Sequence, residues 1–252
     1  MKFSIVTCCW NSAATLGETI ASVQSQSHAD VEHLFVDGGS TDGTLAMIAA
    51  ACPQARVLHG VSGGISRAMN AGIGAASGDV IAHLHADDFY AGPGVLAQVA
   101  VALQRSRAHW AFGGLDVLQG GVRKPALRRR LAFSPARYAR GSVAVLHPTV
   151  FVRREVFDAV GLFDESLRYA MDIDLWLRIA PRFAPVEIDA TLAVFRAHPG
   201  SLSTANAAAA RREEWQVRRR YLARWPLATV LCGLRHWRMD AQQARAAAAA
   251  QA

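Results

Sequence analysis

Three groups of residues have the types and spacing to do chemistry. Asp87 and Asp88 are adjacent acids that follow an apolar run, Val80–Leu84. Two carboxylates at the end of a buried strand are costly to desolvate without a partner. A Mg2+ or Mn2+ ion held against phosphate is one such partner, since these ions take one or two protein carboxylates together with phosphate oxygens. A turn or helix-capping pair ahead of Phe89 and Pro93 is the structural alternative, and the pair alone does not choose between them. The second group is Asp37–Thr44, DGGSTDGT. Its glycines permit a sharp turn, and Ser40, Thr41 or Asp42 can cap a following helix. Asp37, at a strand end, can also accept hydrogen bonds from a base or a ribose. The third is Met171–Arg178, MDIDLWLR. Asp174 and Arg178 are spaced to pair on a helix surface. Asp172 falls at the helix start, where an ionised carboxylate is favoured; it is either an N-cap or a general base.

These residues need a scaffold, and the first hundred positions read as one. Phe3–Thr7, Val31–Val36, Arg56–Leu58 and Val80–Leu84 have strand character. Between them Leu16, Ile20 and Val23 recur at helical spacing, Thr44–Ala51 is helical up to Pro53, and Ile65–Ala76 is helical up to Gly78. This alternation predicts an α/β fold with a mainly parallel sheet flanked by helices. Ligands of such sheets bind beyond the carboxyl ends of the strands, where Asp37, Asp87 and Asp88 fall. Further on, Pro93–Arg105 reads as a helix, Trp110–Leu118 as a strand, and the stretch containing Gly120, Gly121 and Pro125 as a loop. His147–Phe151 reads as a strand, Arg154–Val160 as a helix, and Asp172 opens another. Ile188–Phe195 is the last strand, and Ala205–Tyr221 is helical.

The division predicted is a catalytic domain over residues 1–204 and a basic helical segment over 205–252. Charge supports it. The chain carries +7, yet Arg123–Arg140 holds seven basic residues and no acid, and the segment after residue 204 holds nine Arg against three acids. Such segregation points to an anionic partner. Nucleic acid is the weaker candidate, because the Arg-rich stretches carry no recognised docking motif. The last segment intersperses Trp215, Tyr221, Trp225, Leu231, Leu234 and Trp237 with Arg, as an interfacial helix on the inner face of a membrane would. A terminal helix packing Trp215 and Tyr221 on the domain is the alternative. The N-terminus lacks the pattern of a signal peptide, no apolar run approaches a bilayer span, and the four cysteines form no CxxC. A cytoplasmic enzyme, peripheral to the membrane, is the resulting expectation. GxGxxG and GxxxxGK[ST] are both missing, which argues against dinucleotide dehydrogenases and P-loop enzymes.

Taken in order, the motifs resemble those of the inverting glycosyltransferases of family 2, which have the GT-A fold. FSIVTCCWN resembles the opening strand and turn, and VDGGSTDGT the second-strand motif. GGISRAMNAGIGAASGD is similar to the stretch before the metal motif, and HADD occupies the DxD position. HPTVFVRREVFDAVGLFDESL, AMDIDLWLR and FRAHPGSLS resemble the acceptor-side segment, the base-bearing helix and the closing motif. The resemblance implies that Thr7, Asn11, Asp37 and Asn70 line the nucleotide pocket and that Asp88 with Asp87 binds Mg2+ or Mn2+. It implies that His147 lies near the donor sugar, that His198 approaches the metal or diphosphate, and that Asp172 is the base. His85 and Arg67 depart from the family pattern; Arg67 is read as a phosphate contact or a determinant of donor preference. The donor implied is a nucleoside-diphosphate sugar, and the acceptor a glycan or lipid-linked hydroxyl of bacterial surface-polysaccharide assembly. The competing readings are a nucleotide-sugar-binding domain without catalysis, a nucleotidyltransferase and a nucleic-acid-binding protein.

Overall fold

The computed structural model describes residues 1–126, 132–197, 206–222 and 229–241, except 231, 235 and 240. Strand β1 (Phe3–Cys9) is buried along its whole length, as a central strand covered on both faces must be. It pairs in parallel with β2 (Val31–Asp37) and β4 (Val80–His83), and β3 (Arg56–Leu58) extends the parallel set beyond β2. The connections are helices: α1 (Leu16–Gln24), α2 (Thr44–Ala51) and α3 (Ile65–Ala75). Helix α3 lies so close to the sheet that a Cβ on Gly72 would sit 2.3 Å from Cγ1 of Val6.

The second half makes the sheet mixed, with antiparallel pairings and one long parallel one. After β5 (Phe89–Tyr90) and α4 (Val95–Ser106) come β6 (Trp110–Gln119) and β7 (Val122–Pro125). Helix α5 (Pro135–Ala139), a 3-10 turn at His147–Thr149 and β8 (Phe151–Arg153) follow, then α6 (Arg154–Val160), α7 (Met171–Ile179) and β9 (Pro185–Arg196). The strand order is β3-β2-β1-β4-β8-β6-β9-β5, with β7 paired to β6. Alternate β1 side chains feed two cores. Val6 and Cys8 join Met69, Trp110 and Trp176 on the α3/α7 side, and Phe3 and Ile5 join Leu96, Val99 and Phe151 on the α4 side.

Two local readings change and one strand is added. Residues 122–125 form a strand, not a loop. Gly120 and Gly121, at φ 56° and 78°, make the two-residue turn that joins it to β6, since such turns need positive φ at both positions. His147–Thr149 is a 3-10 turn, not a strand, because Pro148 within it has no N–H for a ladder. The two-residue β5 is too short to show a period, and its pairing with β9 is a tertiary event.

Helix α8 (Ala207–Leu222) lies in the segment read above as an appendage, and it packs on the domain. Its Val217 and Leu222, with Cys232 beyond it, belong to the same apolar cluster as Trp110 and Trp176. Tyr221 donates a hydrogen bond to Asp174 (2.9 Å), and Trp215 packs against Gly233 and His236. These two aromatics therefore face protein rather than a membrane. Among the described residues no helix is long and apolar enough to cross a bilayer.

Candidate active site

The carboxyl ends of β1 and β2 and the start of α3 enclose a cleft of about 470 Å³. Cys9, Trp10, Gly38, Val61, Gly64 and Ile65 line it. Burial pushes the Cys9 thiol up to about 12, helped by the neighbouring Asp37 charge, so this wall stays uncharged. Trp10 stands at the rim with 69% of its surface exposed. Trp10 is not among the residues the motifs single out; its signal in the sequence is an aromatic at the strand-turn boundary.

Asp37 lies under the cleft floor, almost fully buried. Its carboxylate accepts the backbone N–H groups of Gly39 (2.9 Å) and Ser40 (3.0 Å), which folds DGGS into a tight loop. Asn11, in the left-handed region at φ 48°, ties the β1 turn to that loop. Its side chain accepts from Thr41 N (2.9 Å), and its own N–H donates to Ser40 Oγ (2.9 Å). Thr7 is completely buried, its hydroxyl 2.9 Å from Nε2 of His33, so it braces β1 against β2 from within the sheet. Asn70 is also engaged. Its amide bonds both ways with the backbone of Phe163 (3.0 Å each) and donates to Glu165 (3.0 Å), clamping the loop after α6 onto α3. Arg67 is exposed on the first turn of α3, beside Gly63 at the cleft edge.

The two acids of HADD divide. Asp88 is turned inward, only 2% exposed, and accepts the backbone N–H of Arg196 (3.1 Å). Burial, reinforced by Asp87, pushes its carboxyl well above the usual range, against the pull of Arg196. Asp87 is half-buried, and its carbonyl accepts from Arg196 Nε (3.3 Å). Arg196, which also pairs with Glu18, thus holds the end of β9 against the acid pair. An adjacent pair of carboxylates, one buried and one half-buried, suits a divalent cation carried on a diphosphate, which needs few protein ligands. His198 lies outside the described residues.

A histidine cluster runs from the acids toward α7. His85 stacks on His147 with ring centroids 5.2 Å apart, and His83 lies 5.7 Å from His147. His147 in turn lies 6.1 Å from Trp176 of α7. Burial keeps all three imidazoles neutral, lowering His83 to about 3. Among the described residues, both ring nitrogens of His147, Nδ1 of His85 and Nε1 of Trp176 are buried with no hydrogen-bond partner.

Asp172 sits in the first turn of α7. Burial raises its carboxyl to about 6, opposed by a 2.7 Å hydrogen bond from the Ile173 N–H and by the charge of Arg218. A carboxylate of that basicity is ionised at neutral pH yet able to take a proton. Asp174, two residues on, is occupied: it pairs with Arg178 (2.8 Å) and accepts from Tyr221.

A sequence model described as glycosyl transferase family 2 matches residues 4–161. An uncharacterized glycosyltransferase of Mycobacterium tuberculosis is 32% identical over 197 residues, covering 76% of this chain and 74% of that protein. A PGL/p-HBAD biosynthesis glycosyltransferase of Mycobacterium bovis is 31% identical over 183 residues, 70% of this chain and 68% of that one. Among solved structures, residues 1–349 of S. aureus TarS in complex with UDP-GlcNAc superpose with a TM-score of 0.72 at 19% identity, over 88% of this chain and 66% of that one. The longer TarS chain gives 0.70 at 18% identity, and this chain spans 39% of it. At such identity the likeness establishes the fold, the mixed α/β architecture of GT-A glycosyltransferases. Family model, relatives and fold agree: the chain belongs to glycosyl transferase family 2 and is a glycosyltransferase.

Proposed function

We propose that this enzyme transfers a sugar from a nucleoside-diphosphate sugar to an acceptor hydroxyl with inversion at the anomeric carbon. The observation that supports this best is the continuity of the site. His85, stacked on His147, lies two residues before Asp87, and His147 contacts Trp176, one turn along α7 from Asp172. The metal-suited acids and the basic carboxylate therefore flank one cluster, as a donor diphosphate and an incoming acceptor require. The nucleotide base occupies the cleft beside Trp10, over the loop that Asp37 and Asn11 shape. Arg67 faces the phosphates, and His147 faces the donor sugar.

Asp172 takes the proton of the acceptor hydroxyl as that oxygen bonds to the anomeric carbon. The bond to the diphosphate oxygen breaks, and the nucleoside diphosphate leaves. Asp87, backed by Asp88, would hold a Mg2+ or Mn2+ ion, which would supply Lewis-acid stabilisation of the leaving charge. One base and no covalent intermediate give inversion.

The donor to test first is a uridine-diphosphate sugar, since the TarS structure that superposes here holds UDP-GlcNAc. The acceptor class is a glycan or lipid-linked hydroxyl; one relative is named a PGL/p-HBAD biosynthesis glycosyltransferase. The described part beyond α8 supports a peripheral membrane position. Val230, Leu234 and Trp237 are exposed at helical spacing, while Cys232 and His236 face inward. The deciding experiment incubates purified protein with a panel of sugar nucleotides and Mg2+ or Mn2+ and follows nucleoside diphosphate release. Turnover that stops with EDTA, returns with either metal, and yields inverted product by NMR is expected. Full activity in chelator, or retained configuration, would overturn the mechanism.

A further inference from the structure

Helix α7 lacks a cap of its own. Ala170 at its N-cap position offers no side-chain acceptor, and the first N–H groups of a helix have no partner within it. The chain just ahead of the helix finds its acceptor on α8, more than forty residues later. Glu213 Oε1 accepts the backbone N–H groups of Tyr169 (2.7 Å), Ala170 (2.8 Å) and Arg168 (3.0 Å). One carboxylate thus gathers three successive donors of the backbone that leads into Asp172. The neighbours of Glu213 on α8 hold the same region. Arg218, itself only 4% exposed, pairs with Glu214 (2.7 Å) and donates to the Tyr138 carbonyl of α5, and Tyr221 reaches Asp174.

We propose that Glu213 is a positioning residue for the transfer reaction, its carboxylate holding the start of α7 so that Asp172 meets the acceptor hydroxyl in a fixed place. The segment after residue 205 is then part of the catalytic machinery, although the family match ends at residue 161. The alternative is that Glu213 stabilises the fold and does nothing particular for Asp172. Charge separates the two. An anion just ahead of α7 gathers the N–H groups of the N-cap residue Ala170 and of the two residues before it, and hydrogen bonds to a charged acceptor are stronger than neutral ones. Without it, residues 168–172 lose their anchor, and Asp172, held in a desolvated place, is released toward water.

This inference rests on Asp172 being the base, and its test keeps the two ideas apart. Glu213→Gln, Glu213→Ala, Asp172→Asn and the double variant Asp172→Asn with Glu213→Gln are assayed for turnover, donor KM and the pH dependence of kcat. Nucleoside diphosphate binding is measured alongside. Glu213→Gln should lower kcat roughly tenfold, and Glu213→Ala further, with donor KM and diphosphate binding within about twofold of wild type. The acid limb of kcat should move to lower pH, because a released Asp172 returns toward the ordinary carboxylate range. In the Asp172→Asn background, Glu213→Gln should cost nothing more, since its effect passes through Asp172. The same fold-loss in both backgrounds, or an unmoved acid limb, would reduce Glu213 to a structural residue. Near-normal turnover of Asp172→Asn alone would instead overturn the base assignment.

Discussion

At the scale of single residues, the site depends on where a charge is tolerated. Asp172 is held partly out of water, and this makes it basic. For turnover, kcat should fall as pH drops below about 6, in step with protonation of the base, and Asp172→Asn should lose roughly a hundredfold to ten-thousandfold at neutral pH. For stability the sign is opposite. A carboxyl whose folded value is raised favours the fold while protonated, and that contribution is lost as pH rises from the unfolded value near 4 through the folded value near 6. Asp172→Asn should therefore be more stable than wild type at pH 7.5, by up to about 2 kcal/mol, and equally stable at pH 4. Thermal unfolding at the two pH values checks this; a variant less stable at pH 7.5 would show that the burial cost at Asp172 is not real. Asp88 shows the same effect, since burial raises its carboxyl despite the hydrogen bond from the Arg196 backbone.

At the scale of elements, close approach of α3 to β1 sets the cleft. The start of α3 forms one wall, and Gly72 permits the contact by having no Cβ. Gly72→Ala would place a methyl 2.3 Å from a valine whose branched side chain has little freedom to turn away. Overpacking of this kind typically costs about 1–3 kcal/mol. Urea denaturation should show a lower midpoint at unchanged slope, and nucleotide binding should weaken as the wall shifts. A midpoint equal to wild type would mean that α3 can slide without cost. The Asn70 clamp belongs to this scale too. It ties α3 to the loop after α6, which runs on toward α7, so the nucleotide side and the base side of the site share one support.

At the scale of the whole molecule, the C-terminal part has two faces. Helix α8 is committed to the domain through Glu213, Arg218 and Tyr221. Beyond it, Val230, Leu234 and Trp237 are exposed, in a segment rich in Arg. An apolar stripe with basic neighbours suits the headgroup layer of an anionic membrane. Wild-type protein should co-sediment with vesicles containing phosphatidylglycerol, and less so as salt rises. The pair Leu234→Ser with Trp237→Ser should lose most of that binding while keeping turnover on a soluble acceptor. Equal sedimentation of both proteins, or none with anionic lipid, would remove the membrane from the account. A truncation used as a control has to stop after Leu222, because an earlier end disturbs the helix that anchors the backbone leading into α7.

The sequence by itself determined the parallel half of the sheet, the three helices that join its strands, the acids at the strand ends and the family. These are local matters: hydrophobic period, turn residues and contiguous motifs carry them, and each is written within about twenty positions. It also placed Asp172 at a helix start. What each motif residue touches was decided only by the tertiary structure. Thr7 and Asn70 bond to His33 and Phe163, and Asp88 turns to Arg196, partners 26, 93 and 108 positions away. The role of α8 was hidden for the same reason. Its charge pattern is that of a basic amphipathic helix, and the pattern does not say whether a membrane or a protein surface covers the apolar side. Glu213 is one acid among many Arg until the chain folds back and sets it against the three backbone N–H groups just ahead of α7.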